Sequence, residues 1–124
     1  NALVRRSCKL EHFTEAFISD PEVLSVAARV HPEVNSRLME ESGDVGAAIV
    51  EIGLKDGRRY SLRADYPKGR PQNPLTDDEI RQKFRDCLAF SALLSPQKGE
   101  EIIQMIESLD ESEDVTGIVP LLTK

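Results

Sequence analysis

Polar and apolar residues alternate most regularly between residues 45 and 66. In "VGAAIVEIGLK" the residues Ala48, Val50, Ile52 and Leu54 share one face of an extended chain. Asp56-Gly57 follows, the dipeptide of a two-residue type I′ turn. The return segment "RRYSLRADY" alternates too, with Tyr60, Leu62, Ala64 and Tyr66 on one side and Arg59, Ser61, Arg63 and Asp65 on the other. The pattern predicts an antiparallel β-hairpin with one buried face. A lone hairpin is marginal in water, so more strands or helices must pack on that face, and the helices at 21–30 and from 76 onward are the available partners.

Helical spacing flanks the hairpin on both sides. Residues 3–30 read as helical, with Thr14 as a cap for "EAFI". Asp20-Pro21-Glu22 marks a start, with aspartate as N-cap, proline in the first turn and an acid beside it. Val23, Leu24, Ala27 and Ala28 lie on one face of the helix that follows, and His31-Pro32 ends it. Residues 31–44 read as a short edge strand around Val34 and then a loop. Thr76-Asp77-Asp78-Glu79 forms a T-x-x-E capping box. Ile80, Phe84, Cys87 and Leu88 then recur at core spacing. Ser95-Pro96 opens a further helix with Ile102, Ile103, Met105, Ile106 and Leu109 inward. After "DESED" a short final helical turn is expected. The order is helices, hairpin, helices: an α+β fold, a small antiparallel sheet packed with helices and followed by C-terminal helices.

Composition narrows the function classes. At 124 residues the chain fits one domain, or one with an appended piece. It has no tryptophan and 5% aromatics, so its core is aliphatic and poorly equipped to stack nucleobases. A net charge of −6 argues against nucleic-acid binding. The charge is uneven. Residues 100–114 hold seven acids and no base, while residues 58–70 hold Arg58, Arg59, Arg63, Lys68 and Arg70 against Asp65 alone. That asymmetry fits internal complementarity or a local anion site. No apolar run approaches the roughly 20 residues of a membrane span. The opening "NALVRRSCKLEHF" has no apolar leader, so a cytoplasmic location is expected. The abrupt start reads as if cut from something longer. Cys8 and Cys87 have no C-x-x-C spacing, and free thiols are favoured over a structural disulfide.

Catalytic patterns are sparse. His12, His31, Cys8 and Cys87 lack zinc-site spacing, and each histidine is read as structural. The acid pairs Asp77/Asp78 and Glu100/Glu101 sit in first helical turns, where acids are expected without catalysis. No nucleophile elbow, Walker loop or dinucleotide fingerprint occurs. One segment stands apart, "DYPKGRPQNPLTDDE" at 65–79. Pro67, Pro71 and Pro74 stiffen it, and Gly69 and Asn73-Pro74 favour turns. Lys68 and Arg70 could hold an anion at little ordering cost. The competing reading is a rigid connector from sheet to helix. The candidate site is therefore Lys68, Gly69 and Arg70, with no catalytic, cofactor or metal residue assigned.

The segment "VEIGLKDGRRYSLRADYPKGRPQNPLTDDEIRQKF" resembles the C-terminal region of the MmgE/PrpD family, which includes 2-methylcitrate dehydratase, cis-aconitate decarboxylase and iminodisuccinate epimerase. The resemblance rests on L-x-D-G-R-x-Y at Leu54 to Tyr60, on the proline loop from Tyr66 to Leu75, and on the acidic helix start leading to Lys83-Phe84. Upstream, "FTEAFISDPEVLSVAARV" is similar to the helical stretch before that hairpin. The resemblance implies a much longer parent, with a large helical domain and a smaller α+β lid. Residues 1–75 would be the C-terminal part of the lid, and 76–124 helices returning to the helical domain. The parent would be a lyase or isomerase acting on a small di- or tricarboxylate without metal or organic cofactor, and commonly a dimer. No catalytic residue of the family maps onto this chain, so the piece is expected to be inactive scaffold. Its partner would be the parent's N-terminal helical domain. The alternative is a non-enzymatic module that binds a protein through an apolar helix face.

Overall fold

A computed structural model describes residues 1–42 and 46–123. The chain divides into two compact units, one formed by Asn1–Val30 with Asp77–Lys124 and the other by His31–Thr76. Among the described residues the architecture is α+β, with a two-stranded antiparallel sheet and several helices.

The first unit is helical. Its N-terminal part is broken into short pieces: α1 (Ala2–Arg5), a 3₁₀ turn (Leu10–Phe13), α2 (Glu15–Ile18) and α3 (Pro21–Ala27). The expected start of α3 is present, since the Asp20 carboxylate accepts from the Glu22 N–H at 2.9 Å. The helix stops at Ala27, ahead of His31-Pro32. Arg6 adopts φ 53°, which ends α1 after one turn. The later part holds α5 (Asp77–Ser91) and α6 (Pro96–Glu107), then 3₁₀ segments at Leu109–Glu111 and Val115–Leu122. Ser95 caps α6 by accepting from the Lys98 N–H at 3.2 Å. The α5–α6 contact is close. A Cβ on Gly99 would overlap the Leu88 Cδ2 and stand 3.8 Å from Phe84. Val23, Ile102 and Ile103 form the buried core, with Ile102 only 2% exposed.

Three expectations for these helices are corrected. Ile106 and Leu109 are exposed rather than inward, as are Ile80 and Cys87. On α3, Val23 is buried but Leu24 is not. The stripes have the right spacing, but each is wider than the neighbour that covers it. The acids of α6 meet bases of α5: Glu100 takes Arg85 at 2.7 and 2.8 Å, and Glu107 pairs with Arg81.

The second unit holds α4 (Ser36–Ser42), β1 (Ala48–Gly53) and β2 (Arg59–Ala64). Where an edge strand and loop were expected near Val34, α4 forms instead. Asn35 caps it by accepting from the Leu38 N–H at 3.2 Å, and Leu38 is buried. The rest of that expected loop, 43–44, and the first residue of the expected hairpin segment, 45, lie outside the described residues. The hairpin register pairs Ala48 with Ala64, Val50 with Leu62 and Ile52 with Tyr60, so the apolar positions do share a face. That face is largely bare: Leu62 is 74% exposed, and Val50 and Tyr60 are also exposed. The turn differs as well. The Leu54 N–H donates to the Arg58 carbonyl at 2.8 Å and the Gly57 N–H to the Leu54 carbonyl at 3.1 Å. This closes a three-residue loop with Gly57 alone at positive φ, 88°. A type I′ turn needs positive φ at two residues. Asp56 instead uses its carboxylate to accept from the Arg58 N–H and guanidinium.

Candidate functional site

The proline loop leaves β2 after Ala64 and ends at α5. It is knitted by its own backbone. The Arg70 N–H donates to the Pro67 carbonyl at 3.3 Å, which closes a turn over Lys68-Gly69. Gly69 has φ 97°, the glycine position of a type II turn. The Asn73 N–H donates to the Arg70 carbonyl at 2.9 Å, closing a second turn over Pro71-Gln72. The Gly69 N–H reaches across to the Asn73 carbonyl at 2.8 Å. The Asn73 side-chain amide donates to the Tyr66 carbonyl at 3.0 Å. Pro67 lies against Gly46, where a Cβ would stand 2.5 Å from the proline Cγ.

This geometry limits what the loop can bind. A phosphate or carboxylate cradle needs several backbone N–H groups aimed at one point. The N–H groups of Gly69, Arg70 and Asn73 are all spent within the loop. Those three amides are not free to converge on an anion. Lys68 and Arg70 are both exposed and flank Gly69 on successive turns.

Elsewhere in the second unit, Arg63 bridges Asp65 at 2.7 Å and Glu41 at 2.9 Å, and Arg58 pairs with Asp56. These pairs hold Arg63 more firmly protonated, mainly through Asp65, and draw the Asp56 carboxyl below its ordinary value, mainly through the Arg58 side chain. Local acids thus engage Arg58 and Arg63 of the basic stretch 58–70.

The first unit carries two concave features that sequence reasoning did not single out. One is an apolar groove of about 540 Å³ between α5 and α6. Ile80, Phe84, Ile103 and Ile106 line it, and Arg81 and Glu107 form an ion pair at its rim. Its signal lay in the α5 and α6 stripes, read as core because nothing in the sequence says which part stays uncovered. The other is a smaller pocket of about 310 Å³ lined by Cys8, Lys9, Asp86 and Cys87. These pairs are far apart in sequence, so no spacing rule finds them.

His12 is buried and structural. Its Nδ1 accepts from the Lys9 N–H at 3.2 Å, its carbonyl takes the Asn1 side-chain amide, and its ring stacks obliquely on Phe17 at 5.4 Å. Arg5 covers the same Phe17 ring at 4.6 Å and pairs with Asp20. His31 lies in the second unit and is exposed. Among the described residues, no group of three or more His, Cys, Asp or Glu is placed to hold a metal ion, and no helix is long and apolar enough to cross a membrane.

The fold and this loop define an α+β segment of a known kind: residues 1–111 match the MmgE/PrpD C-terminal domain, and the chain belongs to that family. It is 28% identical to the cis-aconitate decarboxylase of Mus musculus, over 98% of this chain and 24% of that protein. It is 27% identical to the cis-aconitate decarboxylase of Homo sapiens, over 89% of the chain and 22% of the relative. A cis-aconitate decarboxylase-like protein of Aspergillus oryzae is 29% identical over 73% of the chain and 18% of its own length. The chain thus spans about a quarter or less of the curated relatives it matches.

Proposed function

We propose that this chain is the C-terminal part of an MmgE/PrpD-type lyase acting on a small di- or tricarboxylate, and that alone it is inactive scaffold. The observation that carries this reading is the family match over residues 1–111, set beside relatives of which the chain spans a quarter or less. The relatives' names favour a decarboxylase acting on cis-aconitate among the family's reactions. Such a parent would abstract or deliver a proton beside a carboxylate, from residues outside this chain. The hairpin unit would form part of the lid, and the helices after residue 76 would return to the helical domain. The proline loop would act as the connector, since its backbone donors serve its own turns.

The first test is direct. The purified chain is incubated with cis-aconitate and 2-methylcitrate while carbon dioxide release and substrate loss are followed. No turnover is expected, and turnover by the chain alone overturns the scaffold reading. A two-dimensional amide spectrum titrated with citrate tests the loop. As a connector, the amides of Lys68–Arg70 should not move. Localised shifts there would make it an anion half-site.

The α5–α6 groove favours a second reading, a module that binds a protein partner without catalysis. The coding region separates the two. A reading frame continuing upstream into a helical domain supports the lyase, and a start codon immediately before Asn1 supports the module.

A further inference from the structure

Two thiols share one pocket, and the lyase reading uses neither. Cys8 lies in the irregular stretch between α1 and the 3₁₀ turn at Leu10–Phe13, and Cys87 lies in the second half of α5. The two are 79 positions apart, by subtraction of their numbers. Both are exposed and free, and both line the pocket of about 310 Å³. The chain segments that carry them are tied together beside the sulfurs. Lys9 Nζ meets Asp86 Oδ1 at 3.2 Å, and each of these residues is the direct neighbour of one cysteine.

We infer that Cys8 and Cys87 form a redox-responsive dithiol, which a peroxide oxidises to an intramolecular disulfide that straps the N-terminal segment to α5. The chemistry balances in two displacements. One thiolate attacks a peroxide oxygen, the O–O bond breaks, and the departing hydroxide takes up a proton to leave as water. The resulting sulfenic acid is attacked at sulfur by the second thiolate. The S–O bond breaks, the S–S bond forms, and a second water leaves. Two thiols are oxidised by two electrons in all, and one peroxide is reduced to two waters. A small dithiol reverses the step.

A disulfide needs Cα atoms about 4.4–6.8 Å apart. Cys87 is fixed by the hydrogen bonds of α5. Cys8 is in neither a helix nor a strand, and it follows the left-handed Arg6, so any adjustment falls on its side. The Lys9–Asp86 pair limits how far that segment must travel.

The test uses the reduced full chain, treated with equimolar hydrogen peroxide. Thiol titration, intact mass and a non-reducing peptide map are then read together. The two thiols should disappear together, the mass should fall by two hydrogens, and one linked peptide should join Cys8 to Cys87. The product should run as a monomer and revert with dithiothreitol. In Cys8→Ser and in Cys87→Ser, the remaining thiol should instead acquire oxygen or link two chains. Independent sulfinic acids on the unaltered chain, or only intermolecular disulfides, would overturn the inference. Thermal unfolding adds a second readout. The oxidised chain should melt higher than the reduced one. A lower midpoint would mean that the bond forms only by distorting the fold, and would equally overturn it.

Discussion

Ile102 is the best-packed apolar side chain among the described residues, seated where α6 meets its neighbours. Few other residues of the first unit are fully covered, so removing its three terminal carbons should be felt strongly. Ile102→Ala is expected to cost about 3 kcal/mol, read as a lower urea midpoint at unchanged slope. Ile106, one helical turn on and exposed, should tolerate alanine with little loss. Asp20 acts differently. Its carboxyl lies below its ordinary value, first because the Glu22 N–H donates to it and then because Arg5 bonds to it. A carboxylate held low in the folded state adds stability above its unfolded value of 3.8, and that contribution fades as pH falls through the lower folded value. Asp20→Asn keeps a cap acceptor but loses the charge paired with Arg5. The variant should melt below the parent at neutral pH, and the gap should narrow below pH 3.8. A gap that stays constant into acid would mean that the Arg5 pairing adds nothing.

At the scale of elements, α5 ends against its own preference. Ala92 follows the last helical residue with φ 51°, a conformation in which a Cβ is crowded and glycine is usual. Ala92→Gly should raise stability by up to about 1 kcal/mol, the relief of left-handed strain exceeding the extra freedom of the unfolded chain. At the α5–α6 crossing the demand is opposite. Gly99→Ala should destabilise by about 1 kcal/mol, because overlap with Leu88 outweighs the gain in helix propensity. In a Leu88→Ala background the same change should become neutral or favourable, and a double-mutant cycle isolates that coupling. These cases explain what the sequence could convey. The starts of α3 and α6 were readable because caps are local chemistry at Asp20 and Ser95, and α5 begins at Asp77 in the expected segment. The hairpin was readable because alternation is local too. The three-residue turn was missed because Asp-Gly also closes loops one residue longer, which shift the strand register by one. The helix α4 was missed because only Asn35 announces it. The exposure of Ile80 and Leu62 was missed because periodicity names a face and says nothing about what lies on it. The loop was legible as stiff and basic, but the commitment of its amides depends on contacts made only once it closes.

At the scale of the molecule, each of the two units leaves large apolar side chains exposed. They include Val50, Tyr60 and Leu62 on the hairpin and Ile80 and Ile106 at the groove. The isolated chain should therefore enhance the fluorescence of an apolar-surface dye and self-associate as its concentration rises. Ile80→Lys with Ile106→Lys should reduce both signals while leaving the urea midpoint near that of the parent. A large fall in the midpoint would mean that those residues stabilise the unit itself. The proline loop has a consequence of another sort. Its bonds link Pro67 to Arg70, Arg70 to Asn73, and Asn73 back to Gly69, so the segment counts its own residues. Gln72, exposed inside the second turn, can change identity without breaking any of those links. One residue added between 67 and 73 would lengthen the span of at least one of those links. Length, more than composition, is the property these bonds hold fixed in the loop.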